Sequence, residues 1–424
     1  MFKDSYKKKK IYDPIHGFIK YDEIEKNLID STAFQRLHYI RQLGVSYLVY
    51  PGATHTRFEH SLGVMELASK IFKRLHTSIR ADVFDLVPRR GSEDYRYYKK
   101  ILRLSALCHD LGHLPFSHVA EKKILPKYGH ERWTYNIIQS PILDKIWQKL
   151  SKKIGFENRN IKEDIIKLSL GEKSLERLKI KTKFTSFEKM LSQIITGDFF
   201  GADRIDYLLR DSKYTGVSYG LFDYLQLIEM LRILPSKNKE LVIGIDENGL
   251  ESLEALLLAR HFMHKRVYQH PSVKAFNFHL TMFMHEIFKN GFKDVDSFLD
   301  ESDPTVINRL NQIVKNKNDP LYFDASKIIF RKKHFKAIPV EYDITKKDID
   351  NFKEKNNIPG NKIYFDLLEK KEKKSFNFLI SKKNFDMIEI SKYSSLINSI
   401  PPTEKNWVYI SAEYEVLFLT TFKK

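Results

Sequence analysis

The histidines of this chain are unevenly spread. Of 15, His55, His60, His76, His109, His113, His118 and His130 fall within residues 55–130. Two segments there are dense in metal-ligand types, RFEH at 57–60 and CHDLGH at 108–113. A third, GADRIDYLLRD at 201–211, supplies carboxylates. Mixed imidazole and carboxylate ligation suits divalent ions such as Fe, Mn, Ni or Zn and leaves positions open for water. Such an ion lowers the pKa of a water to ~7 and neutralises phosphate oxygens. An isolated His-Asp pair is weak evidence for such a centre. The ordered series RFEHSLG, CHDLGHLPFSH and then an aspartate on a helix is more specific.

The elements that must position these groups read as mainly helical. The spacing of Phe34, Leu37, Ile40 and Leu43, closed by Gly44, predicts a helix from about residue 30. A Pro-Gly turn at 51–52 precedes a second helix reaching about Leu75, and residues 86–96 read as a loop. A helix over 97–112 would place His109 and Asp110 ~100° apart around its axis, with His113 one turn beyond His109. Further helices are expected near 117–125, over 203–211, over 221–233 and from about 250. On 203–211, Asp203, Tyr207 and Asp211 share a face, and Asp206 with Arg210 reads most simply as a surface salt bridge. Residues 11–20 read as extended, with Pro14 and Gly17 as breakers.

The expected organisation is a helical catalytic domain over 1–290, with 151–190 as a peripheral insertion, and a smaller α+β domain over 291–424. In the latter, KAIPVEYD, KIYFDLL, FNFLI and YEVLFLTTF have strand-like composition, separated by Lys-rich turns such as 370–374.

The 424 residues include 42% hydrophobic and 30% charged residues, which excludes global disorder. The net charge of +18 suits an anionic partner, nucleotide or nucleic acid. A single cysteine, Cys108, excludes an internal disulfide and points to a reducing compartment. No signal peptide and no apolar run of ~18 residues is evident. The expectation is a cytoplasmic chain without membrane contact.

The stretches 41–64 (RQLGVSYLVYPGATHTRFEHSLGV), 108–118, 201–211 and 264–271 (HKRVYQHP), with DPIHG at 13–17, resemble the HD-domain phosphohydrolases. The likeness is strongest to their dNTP triphosphohydrolase branch, and it covers roughly residues 11–290. It implies an HD-type helical core and hydrolysis of a dNTP to the deoxynucleoside and inorganic triphosphate. It implies a transition metal on His60, His109, Asp110 and Asp203, with Asp206 as the alternative fourth ligand, and Mg²⁺ on the nucleotide. Arg57 would grip the α-phosphate, His113 and His118 would line the phosphate path, and His130 with Glu121 would form the acid/base pair. Arg204 and Arg260 would contact phosphate. Gln42, Tyr207, Asp211, Tyr268 and Gln269 would read the sugar, the tyrosines leaving little space for a 2′-hydroxyl. A homo-oligomer, dimer or tetramer, is also implied, and Phe276, Leu280, Phe283 and Ile287 offer an apolar face for pairing.

The branch includes members activated by nucleotides, and here this chain departs from the pattern. Asp30 and Gln35 are present, but His38 stands where a guanine-reading arginine would be. Tyr12, Asp246, Asn248 and Pro271 replace polar or basic residues. Strict dependence on GTP is therefore not expected. Two rival functions use the same residues: another HD phosphohydrolase activity (nucleotidase, phosphodiesterase or single-stranded nuclease), and a non-catalytic nucleotide- or nucleic-acid-binding protein.

Overall fold

In the computed structural model, the described residues are 9–77, 79–153, 155–197, 200–332, 334–340, 344–366, 378–383, 386–401 and 406–422. They form a mainly α-helical chain with three small sheets. The Lys-rich turn expected at 370–374 lies outside the described residues. Among the described residues, no helix is long and apolar enough to cross a membrane.

The extended reading of 11–20 corresponds to a hairpin, β1 (Lys9–Asp13) antiparallel to β2 (Gly17–Tyr21). Its turn is fixed by Asp13 Oδ1, which accepts the N–H groups of Ile15 and His16 at 2.9 and 2.8 Å.

The Arg57–Leu75 helix is the central element. Glu59 accepts the Thr56 N–H at 3.2 Å, which starts the helix in the manner of a capping box. The helix packs on Glu93–Cys108, on Ala202–Thr215 and on β3 (Leu231–Pro235). Leu62, Val64, Met65, Leu67, Ala68, Ile71 and Phe72 are consequently all buried. Truncating Leu62, Met65, Leu67, Ile71 or Phe72 to Ala costs about 2–5 kcal/mol where the cavity cannot collapse.

Several sequence expectations are corrected. The helix expected around 34–43 is only Thr32–Gln35, followed by a 3-10 turn over Arg36–Tyr39. The backbone beyond it pairs sideways instead: Gln42 N–H donates to His55 O at 3.0 Å and Arg57 N–H to Ile40 O at 2.9 Å. The helix expected over 97–112 runs from Glu93 to Cys108. Its backbone then closes into tighter turns, with Leu111 N–H on Cys108 O and His113 N–H on Asp110 O. The segment near 117–125 is helical only over Glu121–Ile124. Residues 221–233 split into a Tyr224–Glu229 helix and strand β3.

Residues 151–190 are not peripheral. The Ile161–Arg177 helix packs on Glu93–Cys108 and buries Ile165, Ile166 and Leu168 in the main core. The lysine content misled here: Lys167 is buried because Asp164 and Glu188 hold its ammonium at 3.2 and 3.3 Å.

The later part of the chain folds back onto this core. Strand β4 (Leu241–Asp246) is antiparallel to β3 and pairs in parallel with β7 (Leu379–Ser381). With β8 (Met387–Glu389) they form a sheet that crosses the boundary expected at 290. A second sheet has the order β5 (Lys336–Val340), β9 (Asn406–Ile410), β6 (Ile363–Asp366), all antiparallel. The strand expected in YEVLFLTTF is a helix, Glu415–Phe422, in which Phe418 and Phe422 meet at i, i+4 with ring centroids 4.8 Å apart. The apolar face offered for subunit pairing is internal: Phe276, Leu280 and Phe283 are buried against Val306, Leu310 and Ala325.

Candidate metal centre

Three elements converge at the centre. The first turn of Arg57–Leu75 supplies Arg57 and His60. The end of Glu93–Cys108 supplies His109 and Asp110, and the first turn of Ala202–Thr215 supplies Asp203. Ligand atoms of His60, His109 and Asp110 all lie within 4.8 Å of one another. His60 Nε2 is 3.0 Å from Asp203 Oδ1 and 3.6 Å from Asp110 Oδ2. His109 Nε2 is 3.3 Å from Asp110 Oδ1 and 3.8 Å from Asp203 Oδ1. His109 reaches this position from the turn beyond the helix, where its Nδ1 bonds Ala106 O at 2.7 Å.

The donor set fits a divalent ion. His109 Nε2 is buried and makes no hydrogen bond, although such atoms are normally satisfied. Its neighbours are imidazole and carboxylate atoms, which are ligands rather than competing cations. Asp110 is held well below the usual carboxylate range: burial opposes its charge, but Arg57, His109 and His60 outweigh it. Asp203 is lowered too, against burial, by the imidazoles of His109 and His60 beside it. Burial lowers the His60 pKa, but hydrogen bonds to Asp203 and Asp206 overcome this and push it up to about 10. Both carboxylates are thus ready ligands, while the imidazole must give up a proton to an ion.

Behind His60 stands a layer that the sequence reading missed. Its Nδ1 bonds Asp206 Oδ2 at 2.7 Å. Asp206 also meets His16 Nε2 at 2.6 Å and Arg210 Nε at 2.8 Å, and Arg210 reaches on to Asp13 Oδ2 at 2.9 Å. The Asp206–Arg210 pair is completely buried, not a surface salt bridge. Gly63 makes this approach possible: a Cβ there would lie 1.9 Å from Asp206 Oδ1. The DPIHG motif at 13–17 was the available signal for Asp13 and His16.

Arg57 is buried and turned inward. It donates to Asp110, and its Nε donates to Ser117 Oγ at 2.8 Å. Beside it lies a second cluster of His113, His118 and His130, with Glu121 shared between two of them. Glu121 Oε2 meets His118 Nδ1 at 2.5 Å, and Oε1 meets His130 Nδ1 at 2.7 Å. His113 stacks on His130 with centroids 3.8 Å apart. The approach of Glu121 needs Gly129 (φ +63°), where a Cβ would come within 2.6 Å of Oε1. Burial favours neutral His130, yet its bond to Glu121 raises its pKa, whereas burial and Arg57 hold His113 well below the usual value. Glu121 is lowered: its two histidines overcome burial.

Of the expected sugar-reading residues, Asp211, Tyr268 and Tyr207 lie together. Tyr268 Oη donates to Asp211 Oδ2 at 2.7 Å from a π-helical turn, His264–Tyr268. The other oxygen of Asp211 meets His55 Nε2 at 2.7 Å, a partner the sequence did not indicate. The Tyr207 and Tyr268 rings stand edge to face at 6.1 Å. Burial raises the Tyr207 pKa, opposed by Arg204 and Arg260, which therefore sit close to it. Gln42 Oε1 is buried without a hydrogen bond. Gln269 is half-buried, immediately after the π turn. At two of the positions where the sequence departs from the resembled pattern, His38 lies flat on Phe58 at 3.5 Å and Asp246 meets Arg232 at 3.3 Å.

Residues 57–184 match the HD domain, and residues 222–415 match the HD associated region. A crystal structure of a hypothetical protein from Aquifex aeolicus is 33% identical, covering 96% of this chain and 97% of that one at a TM-score of 0.76. The chain belongs to the HD-domain phosphohydrolase family, and it resembles the dNTPase core within it. An uncharacterised protein of Methanocaldococcus jannaschii is 40% identical over 266 residues, 63% of this chain and 47% of that protein. Chicken (Gallus gallus) deoxynucleoside triphosphate triphosphohydrolase SAMHD1 is 31% identical over 272 residues, 61% of this chain and 42% of that protein. The chain spans about half the length of the curated relatives it matches.

Proposed function

We propose that this chain is a metal-dependent triphosphohydrolase that converts a deoxynucleoside triphosphate to the deoxynucleoside and inorganic triphosphate. The observation that carries the reading is the meeting of His60, His109 and Asp110 donor atoms within 4.8 Å, beside the His113, His118 and His130 cluster. The SAMHD1 relatives, whose name states this activity, support it at about 31% identity.

His60, His109, Asp110 and Asp203 would hold the ion, which when bound neutralises phosphate oxygens and lowers the pKa of a water to ~7. Arg57 keeps Asp110 ionised and oriented, and its charge lies beside the path of the α-phosphate. His113 and His118 border that path. His130, whose proton affinity Glu121 raises, gives its proton to the departing 5′-oxygen. Arg204 and Arg260 offset phosphate charge next to Tyr207, and Mg²⁺ accompanies the nucleotide. Each oxygen of Asp211 retains a free lone pair for a 3′-hydroxyl, and Gln42 Oε1 is a second acceptor. Tyr207 and Tyr268 leave little space on the 2′ side, and Gln269 closes the same pocket. The active form is a cytoplasmic homo-oligomer, dimer or tetramer.

The test is turnover of the four dNTPs, each with and without GTP, with product identification. Inorganic triphosphate without a strict GTP requirement is the expected result. Release of orthophosphate, cleavage of a phosphodiester or production of oligonucleotides would replace the dNTP reading with another phosphohydrolase activity. Nucleotide or DNA binding without any product would leave a binding protein.

A further inference from the structure

The turn that delivers Ser117 and His118 has an unusual backbone. Phe116 and Ser117 are consecutive residues in the left-handed region, with φ of 58° and 60°. Neither is a glycine, an asparagine or an aspartate, so local sequence does not favour this conformation. Something outside the turn must hold it.

That support comes from 187 residues further along the chain. Asp303 Oδ1 accepts the Phe116 N–H at 2.6 Å, and Oδ2 accepts the Arg41 N–H at 3.0 Å. Ser117 Oγ donates to Arg41 O at 2.6 Å and accepts from Arg57 Nε at 2.8 Å. Arg57 in turn holds Asp110. One carboxylate therefore pins both backbone segments between which Ser117 is fixed. Its surroundings are built for the purpose. Asp303 is 2% exposed and opens the Asp303–Ile313 helix. Arg36 lies alongside, its Nε on Glu301 O at 2.8 Å and its guanidinium 4.8 Å from the Phe298 ring centroid.

We infer that Asp303 is a positioning residue of the phosphohydrolase centre. Its two carboxylate oxygens hold the left-handed turn that brings Ser117 to Arg57 and His118 to Glu121. The inference rests on the proposed function for its kinetic consequence, but not for the geometry. It gives the HD-associated region a direct part in shaping the catalytic cleft. Both oxygens are needed because each accepts a different backbone N–H. An asparagine would keep one acceptor and turn an amide donor toward the other N–H.

The test uses the full chain with Asp303→Asn, Asp303→Glu and Ser302→Ala. The last disturbs the cap of the same helix and leaves the carboxylate in place. Metal content, steady-state kinetics and amide hydrogen exchange are measured for each. In Asp303→Asn, exchange over 114–119 should rise about 10-fold or more while the Arg57–Leu75 helix stays protected. Metal content should stay at the parent level, and kcat should fall about 10-fold with KM changed less than about threefold. Ser302→Ala should match the parent in all three. If Asp303→Asn does not fold, Asp303→Glu, which retains two acceptors, should fold with an intermediate kcat and intermediate exchange. Parent-like exchange over 114–119 in Asp303→Asn overturns the inference. So does a kcat loss that only tracks the folded fraction, or failure of both variants to fold. If the parent hydrolyses no phosphoester, the proposed function falls and the exchange measurement alone decides the positioning claim.

Discussion

His60 and Asp206 are joined through Nδ1 and Oδ2 at 2.7 Å, with neither side chain exposed to solvent. A candidate metal ligand is thus oriented by a carboxylate that is itself held by His16 and Arg210. Such a partner fixes the tautomer and rotation of the imidazole and raises its basicity toward a cation.

Asp206→Ala should lower metal affinity by about 10–100-fold. It also leaves Arg210 buried with Asp13 as its remaining carboxylate partner, which should cost about 3–5 kcal/mol of stability. Isothermal titration with Mn²⁺ and chemical denaturation measure the two effects separately. An unchanged affinity would remove Asp206 from the support of the centre.

His109→Ala removes a donor whose Nε2 has no other engagement. Metal content and turnover should be lost together, while stability in the presence of chelator should fall by about 0.5–3 kcal/mol, since a buried side chain and its 3.8 Å contact with Asp203 are removed. Elemental analysis beside the dNTP assay checks it. Full activity in the variant would reject the assigned centre.

Glu121 raises the pKa of His130 above its ordinary 6.5. The imidazolium is therefore complete below that value and is lost as pH climbs through the raised one. Activity that needs this proton should decline on the alkaline side, at a pH above 6.5. Glu121→Gln should move the alkaline limb of the kcat profile to lower pH, and His130→Ala should cost about 10²–10⁴-fold in kcat. An alkaline limb that stays in place in Glu121→Gln would separate the pair.

Gly63→Ala would put a methyl carbon 1.9 Å from Asp206 Oδ1 and 2.6 Å from an Arg210 nitrogen. The Arg57–Leu75 and Ala202–Thr215 helices must then separate, at a cost of about 1–3 kcal/mol. Metal affinity should fall with the stability. Thermal unfolding and metal titration on the one variant test both.

The ligand types and their order were legible in the sequence because imidazoles and carboxylates are rare enough in such runs to stand out. The local backbone that aims them was less so. The sequence reading put His109 and Asp110 on a helix, but the helix ends at Cys108 and its i→i+3 turns do the aiming. Apolar periodicity cannot register that change, since Leu111 and Leu114 are buried either way. The Asp206–Arg210 pair reads as a surface feature in the sequence because i, i+4 spacing is indifferent to burial. Only the neighbouring helix, approaching over Gly63, takes the pair out of solvent. Lys167 misled for the same reason: its charge is matched by Asp164 and Glu188 from two helices. The strand-like YEVLFLTTF turned helical because Phe418 and Phe422 also satisfy a period near four, and short apolar runs serve both patterns.

The β1–β2 hairpin has a consequence for how the protein is made. Asp13 and His16 are translated well before their partners, with 190 positions between His16 and Asp206 and 197 between Asp13 and Arg210. On a ribosome adding about 5–20 residues per second, the hairpin must wait roughly ten seconds or more before its charged companions emerge. During that interval a nascent chain carries uncompensated polar groups destined for the interior. Assembly of the centre therefore waits for the Ala202–Thr215 helix, and a stall before residue 206 would leave His60 without its anchor.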